Sequence, residues 1–363
     1  GGWIAMLAYD LAGTLERLPA PAPYPGGPPR ALAARYPTVV VIDDDGGCTV
    51  ATTGSQAHLR DWVAMVASAR PSAPLTAPAE RPVATSLPGD AYLEAVEEAR
   101  AFIRAGDCYQ VNLAQRLEVA WSESPVAFAR RLWGVAGPTA HRAFLSMPEG
   151  AVMSASPELL VSVRDGTART APIKGTAPPG GWEALSHSAK DRAEHVMIVD
   201  LMRNDLSRVC VPGTVAAEEF QRVESHPAVH QLVSTVSGRI APDLDLFHVL
   251  EACFPGGSMT GAPKRSAVEI LASLEGAPRG LYSGCFGRIE GGGLGAAELA
   301  MTIRSVELRG VGTGNVHARV GAGGGVTIDS DPAKEFAEKD LKAARLLAAL
   351  GDEHARSTHS AER

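Results

Sequence analysis

The sequence predicts a mixed fold of the α/β (α+β) class, with an extensive antiparallel sheet and separate helices. Two observations predict it. Short β-branched runs bounded by Gly and Pro recur along the chain, among them TVVVIDD and SVELRG. Three segments carry helix-start chemistry, at Asp90, Ser188 and Asp331. No repeat of 20 to 50 residues interrupts this pattern.

Residues 1–70 mix apolar runs such as WIAMLAYDL with Pro-rich breaks and read as a β-rich region. The chain opens at Gly1 without Met and enters WIAML at once, as the middle of a domain would, so upstream residues are expected. Residues 71–89 are rich in Pro and read as a linker. Residues 90–350 then form a motif-dense unit, and 351–363 are expected to be a flexible tail. In that unit Asp90 can N-cap a helix with Leu93, Val96, Ala99 and Ile103 on one side, stopped at Gly106. CYQVNLAQRLEV follows as a strand, with Gln110 and Asn112 on one face and Val111 and Leu113 on the other. Ser188 opens a second helix, with Asp191 placed for a capping box. Asp331-Pro332 opens the last helix.

Charge and composition exclude little. Of the 363 residues, 34 are Lys or Arg and 41 are Asp or Glu, a net charge of −7 that disfavours a general binder of nucleic acid or anionic membrane. No apolar run approaches the length of about 18 residues that a membrane span requires. Five scattered cysteines without CxxC spacing read as reduced thiols, and a cytoplasmic location is expected.

Several motifs have plain alternatives. GGSMTGAPK, Gly256 to Lys264, resembles a phosphate loop, but the Lys that pattern needs would stand where Ala262 is. A turn entering a helix at Pro263, with free N–H groups able to hold a carboxylate, remains. GAGGG, Gly321 to Gly325, lacks the following helix of a dinucleotide fingerprint and reads as a hairpin turn with close backbone approach. Glu194 shares the apolar face of its helix with Ile198, Leu201 and Asp205, where it binds a metal or pairs with Arg203 or Arg208. Glu335, Glu338 and Lys342 share a face of the last helix, and because Glu338 with Lys342 makes a favourable i,i+4 pair, a solvated stabilising face is the default reading. Lys174, in the short Pro/Gly-bounded loop APIKGT, reads by itself as a surface lysine, and Glu158, in SASPELL, can cap or face solvent as readily as donate a proton.

Taken in order, VNLAQR, SASPELLVSV, APIKGT, KDRAEHVMIVDLMRNDLSRV, LVSTVSG, FPGGSMTGAPKRSAVEILASLE, GLYSGCFG, TIRS and VGAGGGVTIDSDPAKEFAEKDLKA closely resemble the chorismate-utilising enzymes. That family includes anthranilate synthase large subunits, aminodeoxychorismate synthase component I, and isochorismate and salicylate synthases. The resemblance runs from about Asp90 to Ala349, and GGWIAMLAYDL also looks like the N-terminal part of the amine-transferring members. It implies large stacked antiparallel sheets with helices packed outside.

The resemblance also implies chemistry. Isochorismate and salicylate synthases carry a water-activating Lys where Gln110 stands, and an amide cannot act as a general base, so ammonia is the implied nucleophile. Where anthranilate synthases generally read Pro-Ile-Ala-Gly-Thr, this chain has Lys174, matching the covalent nucleophile of aminodeoxychorismate synthase. Glu158 matches the family acid, which would protonate the leaving C4 hydroxyl. Glu194 and Glu338 carry over as Mg²⁺ ligands, with Glu335 helping through water. Gln110, Thr260, Gly261, Tyr282, Arg304, Gly321, Gly323 and Lys342 match substrate-binding positions. The implied partners are chorismate and a glutamine amidotransferase subunit supplying ammonia, since no glutaminase Cys motif is present. Gln231 stands where relatives have His, with His230 one residue earlier, and the loop after Thr176 reads APPGG where many relatives have Arg. Alternatives are an anthranilate or 2-amino-2-deoxyisochorismate synthase, or a silent subunit that binds chorismate or an aromatic amino acid and regulates a partner.

Overall fold

Two antiparallel sheets form the centre of the computed structural model, which describes residues 2–15, 28–43, 45–70, 75, 81–136, 139–177, 180–226, 229–290, 295–310 and 316–351. The nine-stranded sheet runs in the order Ile173–Ala177, Val229–Arg239, Thr167–Ala171, Leu159–Arg164, Ala297–Met301, Cys285–Glu290, Gly2–Leu7 and Ala31–Arg35, and Ala216–His226 also pairs with Val229–Arg239. The seven-stranded sheet runs Gly261–Ala262, Gln110–Trp121, Val316–Val326, Ser305–Arg309, Gly150–Ser156 and His141–Met147, and Val83–Thr85 also pairs with Gln110–Trp121. Met6, Phe286 and Ala300 of the first sheet pack with Leu145 and Val152 of the second, so the inner faces meet in a shared core. The antiparallel stack expected from the motifs is present. Most of 351–363 lies outside the described residues.

The helices cover the outer faces. Helix Ala189–Ser207 buries Ile198, Leu201, Met202 and Leu206 against the larger sheet. The C-terminal helix, Pro332–Leu350, buries Ala343, Leu346 and Leu350 against the smaller one. Their caps follow from sequence: the Ser188 hydroxyl accepts from the Asp191 N–H at 3.2 Å, and the Asp331 carboxylate accepts from the Lys334 N–H at 3.0 Å. Gly106 and Gly351 close their helices in the left-handed region, with φ of 87° and 101°. The helix expected from Asp90 spans Gly89–Ala105 with Pro88 as its cap, so Asp90 sits in the first turn, where its charge still favours the helix dipole.

Three sequence expectations are corrected. GAGGG is no hairpin turn but part of the continuous strand Val316–Val326, which pairs with Gln110–Trp121 along its whole length. The glycines answer to packing: a Cβ on Gly321 would lie 2.0 Å from Tyr282 Cγ, and one on Gly323 would lie 2.3 Å from the Leu113 carbonyl oxygen. APIKGT is no loop either. Ile173–Ala177 is an edge strand on Val229–Arg239, with a bulge at Gly175, whose φ of 76° suits glycine. Within the Pro-rich stretch, Val83–Thr85 is a strand of the smaller sheet, while residues 71–74 and 76–80 of that stretch lie outside the described part.

Gly323→Ala would press a methyl group onto backbone that cannot move aside. Thermal denaturation should show a loss of stability of about 1–3 kcal/mol or more; an unchanged midpoint would contradict this packing.

Candidate active site

Lys174 and Gln110 end side by side over the glycine-rich strand. A Cβ on Gly325 would meet Gln110 Nε2 at 2.3 Å and Lys174 Nζ at 3.1 Å, so the absent side chain makes room for both. Gln110 is fully buried, and neither its carboxamide oxygen nor its nitrogen has a hydrogen-bond partner among the described residues. Such a buried orphan amide costs about 1–3 kcal/mol, which a bound polar ligand would recover. Lys174 is largely buried, with its Nζ 4.0 Å from Glu194 Oε2. Desolvation holds its pKa below the usual lysine value; Glu194 opposes that shift, Lys342 adds to it, and Glu338 and Glu158 also oppose it. The lysine is therefore a core group and not a surface one.

Glu158 is buried as well, and Ser258 Oγ donates to its Oε1 at 2.7 Å. Burial pushes its carboxyl up to about 7, against the stabilising pull of Ser258, Lys174, the Ile173 N–H and Arg304 on the ionised form. A carboxyl titrating near neutrality can deliver a proton at physiological pH.

The three carboxylates predicted to hold metal differ in setting. Glu335 is buried and its Oε1 accepts from Ser330 Oγ at 2.7 Å. Glu338 is half exposed and pairs with Lys342 at 2.7 Å, the i,i+4 pair expected from sequence. Glu194 faces Lys174, while Arg203, one of its expected partners, pairs with Asp200 at 3.2 Å. The solvated face expected of the C-terminal helix is thus only partly solvated, because Glu335 turns inward toward Gly324. Among the described residues no three His, Cys, Asp or Glu side chains already form a metal-binding cluster. Glu194 Oε2 lies 4.0 Å from Lys174 Nζ, and the charges of both Glu194 and Glu338 favour the protonated form of that lysine. Mg²⁺ commonly takes one or two protein carboxylates and completes its shell with substrate oxygens and water, and this donor set fits that habit.

The predicted substrate contacts line the same region. Ser283 and Gly284 are tied to Thr302 by the hydrogen bonds Ser283 N–H to Thr302 O, 2.9 Å, and Thr302 N–H to Gly284 O, 2.8 Å. The two linked turns carry Tyr282 and Arg304, and both hold a non-glycine residue at positive φ, Ser283 at 67° and Arg304 at 48°. Such backbone strain, about 1–3 kcal/mol per residue, gathers at functional sites. Tyr282 is held above its usual pKa by burial. Arg304 is lowered by desolvation and by Arg345, and Glu158 opposes the shift. Thr260 is buried with its hydroxyl donating to the Gly256 carbonyl at 3.1 Å, and Gly261 crosses so close to Gln110 that a Cβ would lie 2.1 Å from the Gln110 carbonyl oxygen. Lys342 Nζ donates to the Gly323 carbonyl at 3.2 Å beside its pairing with Glu338.

Some site residues were missed by sequence reasoning. Asn112 is buried beside Gln110, a placement its i+2 spacing on the strand already signalled. Arg279 is buried and binds Glu275, the carbonyls of Asn112 and Met259, and the Ser283 hydroxyl, with Tyr9 and Tyr282 rings against its guanidinium. His195, fully buried, puts Nε2 2.6 Å from Ser234 Oγ, and desolvation first and Lys174 second lower it to about 4, so it is neutral. His230 bonds outward, its Nε2 accepting from the Gly180 N–H and its Nδ1 against Ser225 Oγ, while its strand neighbour Gln231 is buried. Positions 178 and 179 of the APPGG loop lie outside the described residues. A recess of about 370 Å³ lined by Ser162, Arg164, Arg169 and Arg288 contains none of the predicted site residues.

A buried amine, a neutral-range carboxyl, facing carboxylates and an arginine in a strained turn define an enzyme for a small anionic substrate. The chain belongs to the chorismate-binding enzyme family: that family's model matches residues 2–348. It is 36% identical over 357 residues to an aminodeoxychorismate synthase component 1 of Klebsiella aerogenes, covering 96% of this chain and 76% of that protein. It is also 37% identical to an anthranilate synthase component 1 of Streptomyces coelicolor, covering 96% and 73%. The crystal structure of anthranilate synthase component I from Streptococcus pneumoniae superposes with a TM-score of 0.84 at 29% identity, covering 94% of this chain and 80% of that one. The protein is therefore a chorismate-utilising enzyme with the fold of that family.

Gly325→Ala tests the pocket directly. The obstructed groups are side-chain ends that can shift, so the fold should persist with little change in melting temperature. Misplacing Gln110 and Lys174 by about 1 Å should cost roughly 100-fold in turnover of chorismate.

Proposed function

We propose that the chain is the chorismate-binding subunit of an aminodeoxychorismate synthase. It would convert chorismate and ammonia to 4-amino-4-deoxychorismate, the ammonia coming from a glutamine amidotransferase subunit. The observation that carries this reading is Lys174, a largely buried amine with its pKa lowered by desolvation, set between Glu194 and the Gln110 amide. Glu158 would give its proton to the C4 hydroxyl, which leaves as water, while neutral Lys174 Nζ adds at C2 and the ring double bond shifts. Ammonia would then form the bond to C4, and the displaced electrons would expel Lys174 from C2. Gln110 offers no base to deprotonate water, in keeping with an amine nucleophile. Arg304, Tyr282, Lys342 and the close backbone at Thr260, Gly261, Gly321 and Gly323 would orient the two carboxylates of the substrate.

Mg²⁺, held by Glu194 and Glu338 with Glu335 behind them, would neutralise the ring carboxylate of the substrate. The cysteines among the described residues, all five of the chain, are unpaired, which suits the reducing cytoplasm. No helix among the described residues is long and apolar enough to cross a membrane.

A second reading, amination at C2 as in anthranilate or 2-amino-2-deoxyisochorismate synthases, is favoured by the similarity to anthranilate synthase components. Chorismate, Mg²⁺ and excess ammonium, with products separated and identified by mass and proton NMR, distinguish the two. A 1,4-substituted amino product is expected, and Lys174→Ala should lower its formation by at least about 100-fold. Anthranilate as the product, or full activity in Lys174→Ala, would overturn the proposal.

A further inference from the structure

Glu158 is held by a chain of contacts that starts on another element. Ser258 Oγ donates to Glu158 Oε1 at 2.7 Å, and the Ser258 carbonyl accepts from Asn112 Nδ2 at 3.1 Å. Asn112 must present its nitrogen there, because the partner is a carbonyl; its oxygen stays buried and unpartnered among the described residues. Arg279 adds a second tie between the same two segments, donating to the Asn112 carbonyl at 2.6 Å and the Met259 carbonyl at 2.7 Å. The short helix Gly257–Thr260 is thereby fixed to strand Gln110–Trp121 at Ser258 and Met259, and all four of its residues are buried. A serine hydroxyl so constrained has little freedom to turn away from the carboxyl.

We propose that Ser258, anchored by Asn112, is a positioning residue that aims the Glu158 carboxyl and keeps its proton affinity low enough for transfer. The inference rests on the acid role given to Glu158 above. Burial alone favours the protonated carboxyl, and an acid held too firmly in that form gives up its proton poorly. The Ser258 O–H bond favours the ionised form and offsets part of that effect. Among the described residues, Lys174, Arg304 and Tyr282 are further charged or titratable groups that act on Glu158 or feel its charge. They remain in place when Ser258 is changed.

The test is an infrared titration of the full chain, following the protonated-carboxyl band that Glu158→Gln deletes. In Ser258→Ala the midpoint of that band should rise by about one pH unit, the size expected for one hydrogen bond to a charged group. The kcat for chorismate amination should fall about 10-fold while KM changes by less than about twofold. Ser258→Cys fills the same space with a weaker donor and should fall between wild type and Ala. Asn112→Ala should move the midpoint in the same direction by a smaller amount. A midpoint unchanged in Ser258→Ala, or a loss confined to KM, would overturn the proposal. Full activity in Glu158→Gln would instead remove the acid role itself, whatever the Ser258 titration shows.

Discussion

A strand whose later part, Gly321 to Gly325, is nearly bare of side chains makes the site possible. Val316–Val326 lies flat against Gln110–Trp121, and the glycines in it let Tyr282, the Leu113 carbonyl, Gln110 and Lys174 come within distances that a methyl group would forbid. Side chains elsewhere in these sheets define cores; here their absence defines a space. The Gln110 amide, the Lys174 amine and the carboxylate of Glu335 all point at this bare backbone.

Low local polarity then acts on both ends of the chemistry. The same desolvation raises Glu158 and lowers Lys174, driving an acid and a base toward their neutral forms. In water, at neutral pH, both groups would be charged and neither would be ready for its task. The carboxylates of Glu194 and Glu338 work against this for the lysine, and a cation bound to them would relieve that opposition.

Much of this was legible in the sequence because it rests on local rules. The caps at Ser188 and Asp331 and the stops at Gly106 follow from side-chain hydrogen bonding and left-handed backbone, and they stand where expected. The order of motifs identified the family and the candidate residues. What stayed hidden was long-range. Gly321 to Gly325 read as a turn because glycine is locally a turn former, and only the partner strand and Tyr282 explain them as packing. Lys174 read as exposed because a strand edge that borrows its hydrogen bonds from residues sixty positions away leaves no local trace. Ser258 and Arg279 were invisible for the same reason: each joins segments that are distant in the chain.

The first strand carries a consequence of its own. Gly2–Leu7 lies inside the larger sheet, between Ala31–Arg35 and Cys285–Glu290, with Gly2 opposite Glu290. The partners of that pairing lie far apart in the chain, so WIAML pairs with Cys285–Glu290 only after the residues between them have been made. Closing so long a loop is slow and leaves an open strand edge during the delay. A pairing of such long sequence separation makes this part of the sheet one of its slower contacts to form.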